Sequence, residues 1–391
     1  MSSNQSDFQN IIGRLKTSGI QRNFKTYSGD IVTDMNKVFN SYQGLLQRFL
    51  DSEGSGSSLY RRLANNLGHI KALSNSIETA TKEFLEGNIR RSYNTFSDAL
   101  DEPEIRINLR QLTKNLGSWS NRITPTFRLR ASPTPLLKRE EMFHISFSMR
   151  ERVKTQRYSV EGLPCIYLGT SLYICWQELG CPDFDKLYIS AFRASREAKN
   201  LGILNLAYTL DSLKENNLSR FFDFDPINEE IQLAYLTIWP LVIACSYLKK
   251  NKNASFNPEY IIPNLLMQKI SSDRNMEIAG IAYYSTKSEK MSSDAFGVNI
   301  VLPPQASYQD MKDYNFCPHL AESMRVTNPV PWSLLSTLKF ESMTERYVSE
   351  HDIDDIYETL LKSYDATEFK ILEDNISEHF KFAEVENKKV K

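Results

Sequence analysis

The chain has 391 residues, of which 24% are charged and 41% are hydrophobic, with 15 Gly and 15 Pro. This length allows two or three domains with sizeable cores, and the composition excludes a disordered, fibrous or disulfide-stapled small protein. The formal net charge is −1, so no global field favours nucleic acid or an anionic membrane as a partner.

The charges are unevenly distributed along the chain. Residues 1–130 carry 18 Lys and Arg against 12 Asp and Glu, whereas residues 341–391 carry 7 against 14. Solvated faces are the simpler explanation, and contact between segments or with a partner is the alternative. The five scattered cysteines indicate neither a disulfide framework nor a zinc site, and no secretory signal is recognisable, so we expect a cytoplasmic protein.

The first 120 residues are predicted to be helical. Apolar residues recur at three- and four-residue spacing from Met35 to Phe49 and again from Leu59 to Ile77, which predicts two amphipathic helices. The Gly/Ser-rich segment 51–58 between them is predicted to be a loop. The apolar stripes are expected to form the core of a helical hairpin or small bundle, and partner binding or homo-oligomer formation is the alternative.

Residues 121–320 are predicted to form an α+β domain. Short apolar runs at 142–147, 165–168 and 187–192 have the composition of strands, and 263–270 is predicted to be a helix. After Phe340 the pattern predicts amphipathic helix again, with apolar residues from Ile353 to Leu361.

The uncharged stretch 231–248 is barely long enough for a membrane span. Gln232, Thr237 and Ser246 dilute its apolar character, and Pro240 interrupts it. A kinked helix that is buried in a protein core can also be apolar all round, so we predict a buried helix.

The common nucleotide and hydrolase motifs are absent from the sequence. It contains no G-x-x-x-x-G-K-[ST], G-x-G-x-x-G, H-E-x-x-H or G-x-S-x-G pattern, so P-loop, Rossmann, zincin and α/β-hydrolase chemistry all lose support. The five histidines are far apart and lack metal-ligand spacing, which makes histidine-based catalysis unattractive.

The run at residues 154–180 is the richest in chemically useful side chains. Arg157 precedes a turn, residues 165–168 have the composition of a short apolar strand, and Ser171 is predicted to cap a following helix. Glu178 lies about two turns into that helix. An Arg, the strand residue Tyr167 and a helical Glu can therefore face one pocket from a strand–turn–helix unit.

This run and its neighbours resemble the RES domain, a family whose members include toxins of bacterial toxin–antitoxin pairs. The resemblance covers roughly residues 122–305. The residues that carry it are Arg128 or Arg130 in TFRLR, Arg157 in TQRYS, Tyr167 in CIYLGTS, Glu178 in CWQE, Ser285 in GIAYYS and Asn299 in VNIVLPP. The chain departs from the family pattern in having Tyr158 where Trp is frequent, and in the long segment before Ser285.

The resemblance implies an ADP-ribosyltransferase-like fold and an activity that consumes NAD⁺ as substrate and needs no metal. Cleavage of the nicotinamide–ribose bond passes through an oxocarbenium-like cation, which a carboxylate can stabilise. The predicted catalytic residues are Glu178 for that role, Arg157, and Ser285 as a hydrogen-bonding partner of the ribose or the amide.

The same resemblance predicts a set of NAD⁺-binding residues. A guanidinium group matches the pyrophosphate with forked hydrogen bonds, and tyrosine rings stack on flat heterocycles. The predicted residues are Arg128, Tyr158, Tyr167, Ser171 and Asn299.

Two other functions stay open. ADP-ribosyl transfer to a protein or nucleotide acceptor breaks the same bond and differs in the nucleophile. A non-catalytic scaffold would keep the fold and bind a partner through its helices. Without the resemblance, Glu178 would be an ordinary solvated helix residue, Tyr167 a core tyrosine and Ser285 a loop hydroxyl.

We therefore expect a bacterial, cytoplasmic NAD⁺-degrading toxin or antiphage defence effector with three regions. Residues 1–120 would be a helical regulatory or oligomerisation domain, 121–320 the RES-like catalytic domain, and 321–391 an acidic helical region. We hypothesise that the added helices restrain the activity until a trigger arrives. The expected partners are NAD⁺, an antitoxin or regulatory protein and a second copy of the chain, but neither membrane nor nucleic acid.

Overall fold

The computed structural model describes most of the chain as two compact units. The first unit contains residues 1–114, 153–163 and 202–282, and the second contains 115–152, 164–201 and 283–391. The described residues are 3–18, 26–52, 58–198, 201–215, 224, 227–251, 253–273, 277–286, 297–337, 364 and 367–389.

The described part of the chain begins with five consecutive helices and continues with a mixture of strands and helices. The helices are α1 (Ser3–Thr17), α2 (Ile31–Ser52), α3 (Ser58–Leu85), α4 (Ile89–Asp101), α5 (Pro103–Gln111), α6 (Leu116–Trp119), α7 (Leu172–Glu178), α8 (Leu210–Glu215), α9 (Glu229–Ala244), α10 (Ile261–Ser272), α11 (Tyr308–Asp313), α12 (Pro318–Ser323), α13 (Trp332–Thr337) and α14 (Glu368–His379). The strands are β1 (Thr113–Asn115), β2 (Thr126–Ala131), β3 (Ile166–Gly169), β4 (Leu187–Ala194), β5 (Gly202–Asn205), β6 (Ile278–Tyr284), β7 (Val298–Leu302), β8 (Met324–Val326) and β9 (Val330–Pro331). The predicted α+β class is confirmed.

The long N-terminal helices follow the predicted apolar pattern. In α2 the buried side chains include Met35, Phe39 and Phe49, and in α3 they include Leu59 and Ile77, each set along one face. Both helices belong to the first unit and pack on each other. Core packing therefore accounts for both stripes. Most of the loop predicted at 51–58 lies outside the described residues.

Helix α9 is the buried helix that was predicted for the uncharged stretch. Residue 231 and all of residues 233–244 are buried. Pro240 lacks an N–H group, which leaves the carbonyl of Leu236 without its helical donor. The hydroxyl of Tyr42 in α2 donates to this carbonyl over 2.7 Å, and its ring stacks on Trp239 with centroids 4.1 Å apart. These contacts let the helix continue through the proline. Among the described residues, no helix has the length and hydropathy needed to cross a membrane.

The units cut across the three regions predicted from the sequence. Helices α9 and α10, expected within the catalytic region, pack against α3 inside the first unit. Their surfaces are apolar nearly all round, so they need a partner layer that the short strands cannot supply. The N-terminal helices provide that layer.

The second unit is built on an antiparallel sheet with the strand order β7-β3-β2-β4-β8. Strand β9 pairs with the first residues of β4, whereas β8 pairs with its last residues. Residues 165–168 and 187–192, predicted as strands, correspond to β3 and β4. Helices α7, α13 and α14 contribute to one apolar cluster with the sheet. Its buried members are Phe127, Leu129, Leu172, Ile174, Cys175, Leu187, Ile189, Ala191, Val330, Trp332, Leu335, Leu372 and Ile376.

The prediction of a strand at residues 142–147 is wrong. A 3₁₀ turn occupies Arg139–Met142, and a second begins at Phe147. Phe143 and Phe147 are buried, and the ring of His144 lies between them and accepts a hydrogen bond from the backbone N–H of Cys317 at 2.9 Å. These two phenylalanines are buried because their aromatic rings pack into the core, and no strand within the described residues pairs with the segment.

The region predicted as helical from residue 321 onward contains two short strands, β8 and β9, before helices α13 and α14. The amphipathic helix predicted from Ile353 to Leu361 lies outside the described residues.

Candidate active site

Strand β3 and helix α7 form the strand–turn–helix unit predicted from the sequence. Gly169 ends the strand, and a Cβ atom at this position would lie 2.6 Å from both the Sγ atom of Cys175 and the Cγ2 atom of Ile174. Only glycine lets the helix approach the strand this closely. Ser171 caps the helix as predicted, because its hydroxyl accepts from the N–H of Ile174 at 3.1 Å.

The carboxyl group of Glu178, the last residue of α7, is the centre of the candidate site. Its Oε1 atom accepts hydrogen bonds from the Oγ of Ser285 at 2.6 Å and from the Nδ2 of Asn299 at 2.7 Å. Ser285 and Asn299 are buried, whereas Glu178 is partly exposed. The structure therefore brings together three of the predicted residues, although Ser285 and Asn299 lie 107 and 121 positions from Glu178 along the chain.

The backbone fixes the two donors. Asn299 lies on β7 directly opposite Gly169 on β3, so it is level with the turn that starts α7. Ser285 follows β6, and its N–H donates to the carbonyl of Gly297 at 3.0 Å, just before β7 begins. The backbone of Asn299 is thus held by strand pairing and that of Ser285 by a hydrogen bond next to the sheet, both independently of Glu178.

Tyr167 shares a sheet face with this group. It pairs with Val301, and two positions further along Gly169 pairs with Asn299. Because side chains alternate along a strand, Tyr167 and Asn299 lie on the same face of the sheet. The ring of Tyr167 is partly buried and is suitably placed for one wall of a pocket.

Of the two candidate early arginines, Arg128 is the shielded one. Its Nη1 atom is sealed from solvent and has no hydrogen-bond partner among the described residues. Burial, together with the nearby charge of Arg130, lowers the pKa of Arg128 to about 10. Arg130 is exposed and donates to the backbone carbonyl of Glu141. No hydrogen bond or ion pair joins Arg128 to Glu178 within the described chain.

The other predicted basic residue, Arg157, lies in the first unit and has partners there. Its guanidinium is buried and donates to the carbonyls of Cys245 at 3.0 Å and Tyr247 at 2.8 Å, immediately after α9, and it lies 5.1 Å from the centre of the Tyr260 ring. Tyr158 is also buried, and its hydroxyl is hydrogen-bonded to the thiol of Cys245. These contacts give both residues a structural role in the first unit.

One part of the site was missed by the sequence analysis. The Oε1 atom of Glu373 in α14 accepts from the backbone N–H of Leu172 at 2.7 Å and from the hydroxyl of Tyr364 at 2.6 Å. Burial raises the pKa of Glu373 to about 7. Charged residues such as Lys370 and Asp374 surround Glu373 in the sequence, so no local signal marks it as buried.

The Cys175 thiol and the His144 imidazole are poorly suited to act as a nucleophile or a base. Burial raises the pKa of the Cys175 thiol to about 12, and the thiol donates to the carbonyl of Phe127. Burial lowers the pKa of His144 to about 4, and both of its ring nitrogens have backbone partners. Across the described ranges, His, Cys, Asp and Glu side chains form no group that could hold a metal ion.

Comparison with known proteins gives one informative relative. Over 320 residues the chain is 29% identical to the Bacillus subtilis (strain 168) protein named "Putative toxin YopC", and the match covers 81% of this chain and 69% of that protein. No protein-family model matches the chain, and no solved structure matches it. The chain is thus similar over most of its length to a protein named as a toxin.

Proposed function

We propose that this protein is a toxin that consumes NAD⁺ by breaking the nicotinamide–ribose bond at Glu178. One observation carries the proposal: a partly exposed carboxylate is held by two neutral donors, Ser285 and Asn299, in the order and context of the RES domain. The name of the B. subtilis relative supports the toxin role.

The chemistry needs a fixed negative charge next to the ribose. When the C1′–N1 bond breaks, its electron pair leaves with nicotinamide and positive charge develops on the ribose. A carboxylate that is already oriented stabilises this charge without reorganising. In the hydrolytic reaction a water oxygen then bonds to C1′ and releases a proton, which gives ADP-ribose.

The neighbours of Glu178 supply the remaining contacts in this proposal. The Ser285 hydroxyl donates to Glu178, so its oxygen can accept a hydrogen bond from a ribose hydroxyl or the nicotinamide amide. Tyr167 would stack on a flat ring from the same sheet face. Arg128, whose side chain as a whole is partly exposed, would bind the pyrophosphate. The proposal does not require Arg157 or Tyr158.

The test is NAD⁺ breakdown by the purified full-length protein, followed by chromatography of nicotinamide and ADP-ribose. Glu178→Gln keeps the shape of the side chain and removes its charge, and we expect it to lower the rate by about 100-fold or more. Glu322→Gln on the exposed surface of α12 is the matched control and should behave as wild type.

Each outcome has a definite meaning. Nicotinamide and free ADP-ribose from wild type and Glu322→Gln, but not from Glu178→Gln, support hydrolysis. Nicotinamide with ADP-ribose attached to a protein or nucleotide acceptor indicates transfer. A Glu178→Gln variant as active as wild type contradicts the proposal. A wild-type protein that leaves NAD⁺ intact indicates either a binding scaffold or an activity that the added helices hold back.

A further inference from the structure

The first turn of α7 is held by a carboxyl group from the C-terminal helix. Glu373 is 4% exposed, and its Oε1 atom accepts from the N–H of Leu172, the first residue of α7. The hydroxyl of Tyr364 donates to the same oxygen and also interacts with the hydroxyl of Ser171. The start of α7 is therefore bound to a small buried polar group made by residues near the C-terminus.

Helix α7 depends on such contacts because it is short. It has 7 residues, and a helix of this length is unstable in water by itself. Its first N–H groups have no acceptor within the helix. Ser171 accepts from the N–H of Ile174, and Glu373 accepts from that of Leu172, so two side chains satisfy two of these groups.

The apolar contacts of α7 lead to the same helix. Leu172, Ile174 and Cys175 lie in one buried cluster with Leu372 and Ile376 of α14. Glu373 is itself buried and accepts from the N–H of Leu172, a member of this cluster, so its carboxyl lies where α14 meets α7. A carboxyl group in such a place is costly unless hydrogen bonds compensate it.

Glu178 lies at the opposite end of α7 from this contact. The helix is about two turns long, and a shift of its first turn moves its last residue as well. The hydrogen bonds from Ser285 and Asn299 require the carboxylate at one position, because the backbone of Asn299 is fixed by strand pairing and that of Ser285 by its bond to Gly297.

We propose that Glu373 is a positioning residue of the active site: by holding the first turn of α7, it keeps the Glu178 carboxylate against Ser285 and Asn299. The inference rests on the proposed function for the chemistry at Glu178. It makes the C-terminal helix part of the catalytic apparatus, in addition to the regulatory role expected of that region.

Two variants separate positioning from packing. Glu373→Leu has a similar volume but offers no acceptor to Leu172, whereas Glu373→Gln keeps a carbonyl oxygen in place. Glu378→Leu, at an exposed position of the same helix, is the matched control. All are made in the full-length protein.

Hydrogen–deuterium exchange of peptides that cover residues 171–180 gives the first measurement, and it needs no turnover. We expect Glu373→Leu to speed exchange in α7 by about tenfold or more while peptides from β2 keep wild-type protection. Glu373→Gln and Glu378→Leu should match wild type.

Nicotinamide release gives the second measurement. We expect Glu373→Leu to lower kcat by about tenfold or more with KM changed less than about twofold, because the reacting charge is displaced while most substrate contacts remain. Glu373→Gln should restore kcat to within about threefold of wild type.

Wild-type exchange in α7 of Glu373→Leu overturns the inference, as does a folded Glu373→Gln variant that fails to restore kcat. If Glu373→Leu does not fold, Glu373→Asp, which withdraws the oxygens by one methylene, decides in its place: wild-type exchange and kcat would then reject the positioning role. A wild-type protein without turnover would bear on the proposed function alone, since the exchange measurement still tests the contact.

Discussion

The Nδ2 atom of Asn299 donates a hydrogen bond to the Oε1 atom of Glu178 over 2.7 Å, although 121 positions separate the two residues. Asn299 is buried on β7 opposite Gly169, so this donor is part of a strand, and the helix that carries Glu178 must come to it. Substitutions that change this donor or move the helix should therefore alter the environment of the Glu178 carboxylate.

Asn299→Asp replaces the neutral donor with a second carboxyl group beside Glu178. Two carboxyl groups at hydrogen-bond distance share a proton, and the pKa of one of them rises. If NAD⁺ cleavage needs the ionised Glu178, the acidic limb of its rate–pH profile should move upward by about one unit or more. Asn299→Ala is the control, since it should lower the rate without moving the limb. Identical limbs in wild type and Asn299→Asp would argue against an ionised carboxylate at the reaction centre.

Gly169→Ala should destabilise the second unit. The added Cβ would lie 2.6 Å from side-chain atoms of Cys175 and Ile174 and 3.1 Å from the carbonyl of Ser171, so α7 must shift away from β3. We expect a loss of about 2 kcal/mol in the free energy of unfolding, measured in urea. Gly68→Ala, at an open position inside α3, should instead stabilise the protein by up to about 1 kcal/mol. Equal stabilities of the two variants would show that the approach of α7 to β3 is not tight.

Arg157→Met should destabilise the first unit. The guanidinium donates to two carbonyls in the buried segment after α9, and its removal leaves both without this donor. Hydrogen bonds from charged groups are strong, so we expect a loss of about 3 kcal/mol in the free energy of unfolding. Arg152→Met, in an exposed ion pair with Glu151, should change it by less than about 0.5 kcal/mol. A stable Arg157→Met protein that binds NAD⁺ poorly would instead support the ligand role predicted from the sequence.

The ionisation of Glu373 should make stability depend on pH. Burial raises its pKa to about 7, and this is partly opposed by the hydrogen bonds from Tyr364 and the Leu172 N–H and by the charge of Lys370; Asp374 adds to the rise. The folded state therefore binds a proton that the unfolded state releases from about pH 4.5 upward. The resulting stabilisation is complete below that pH and is lost as the pH rises through about 7.

Thermal unfolding at about pH 5 and about pH 8 measures this effect. Wild type should lose more stability over this interval than Glu373→Gln does, by up to about 3 kcal/mol, because glutamine has no proton to lose. Parallel changes in the two proteins would show that Glu373 has the ordinary pKa of an exposed glutamate.

The packing of the first unit bears on the idea that the N-terminal helices restrain the activity. Helix α3 covers α9, whose surface is apolar nearly all round. Removal of residues 1–120 would expose α9 and disturb folding, so a change in toxicity would not isolate restraint. Substitutions on exposed positions of α2 and α3 are the better test of regulation.

Local sequence predicted much of the fold where one physical cause dominates. The apolar stripes of α2 and α3, the buried character of α9 and the strands β3 and β4 follow from periodicity and hydropathy. The segment 142–147 was misassigned because alternating aromatic residues also anchor an irregular loop, as Phe143 and Phe147 do.

In the candidate site, too, the sequence predicted some features of the structure and not others. Motif order along the chain identified Glu178, Ser285 and Asn299, and their types suit a carboxylate held by neutral donors. It also predicted Arg157 for the site, and the structure shows that this side chain donates to two carbonyls after α9. The sequence does not show whether a guanidinium donates to backbone carbonyls or to a ligand.

By itself the sequence determined the long N-terminal helices, the buried character of α9 and the strands β3 and β4, and it proposed residues for the candidate chemistry, because periodicity, capping and residue type act over a few positions. Only the tertiary structure decided that α9 belongs with the N-terminal helices, that Tyr42 satisfies the carbonyl left open by Pro240, and that Glu373 reaches the start of α7 across 201 positions. The physical reason is that these contacts join residues far apart in the sequence. Which apolar surfaces and which polar groups become buried together depends on how the whole chain folds.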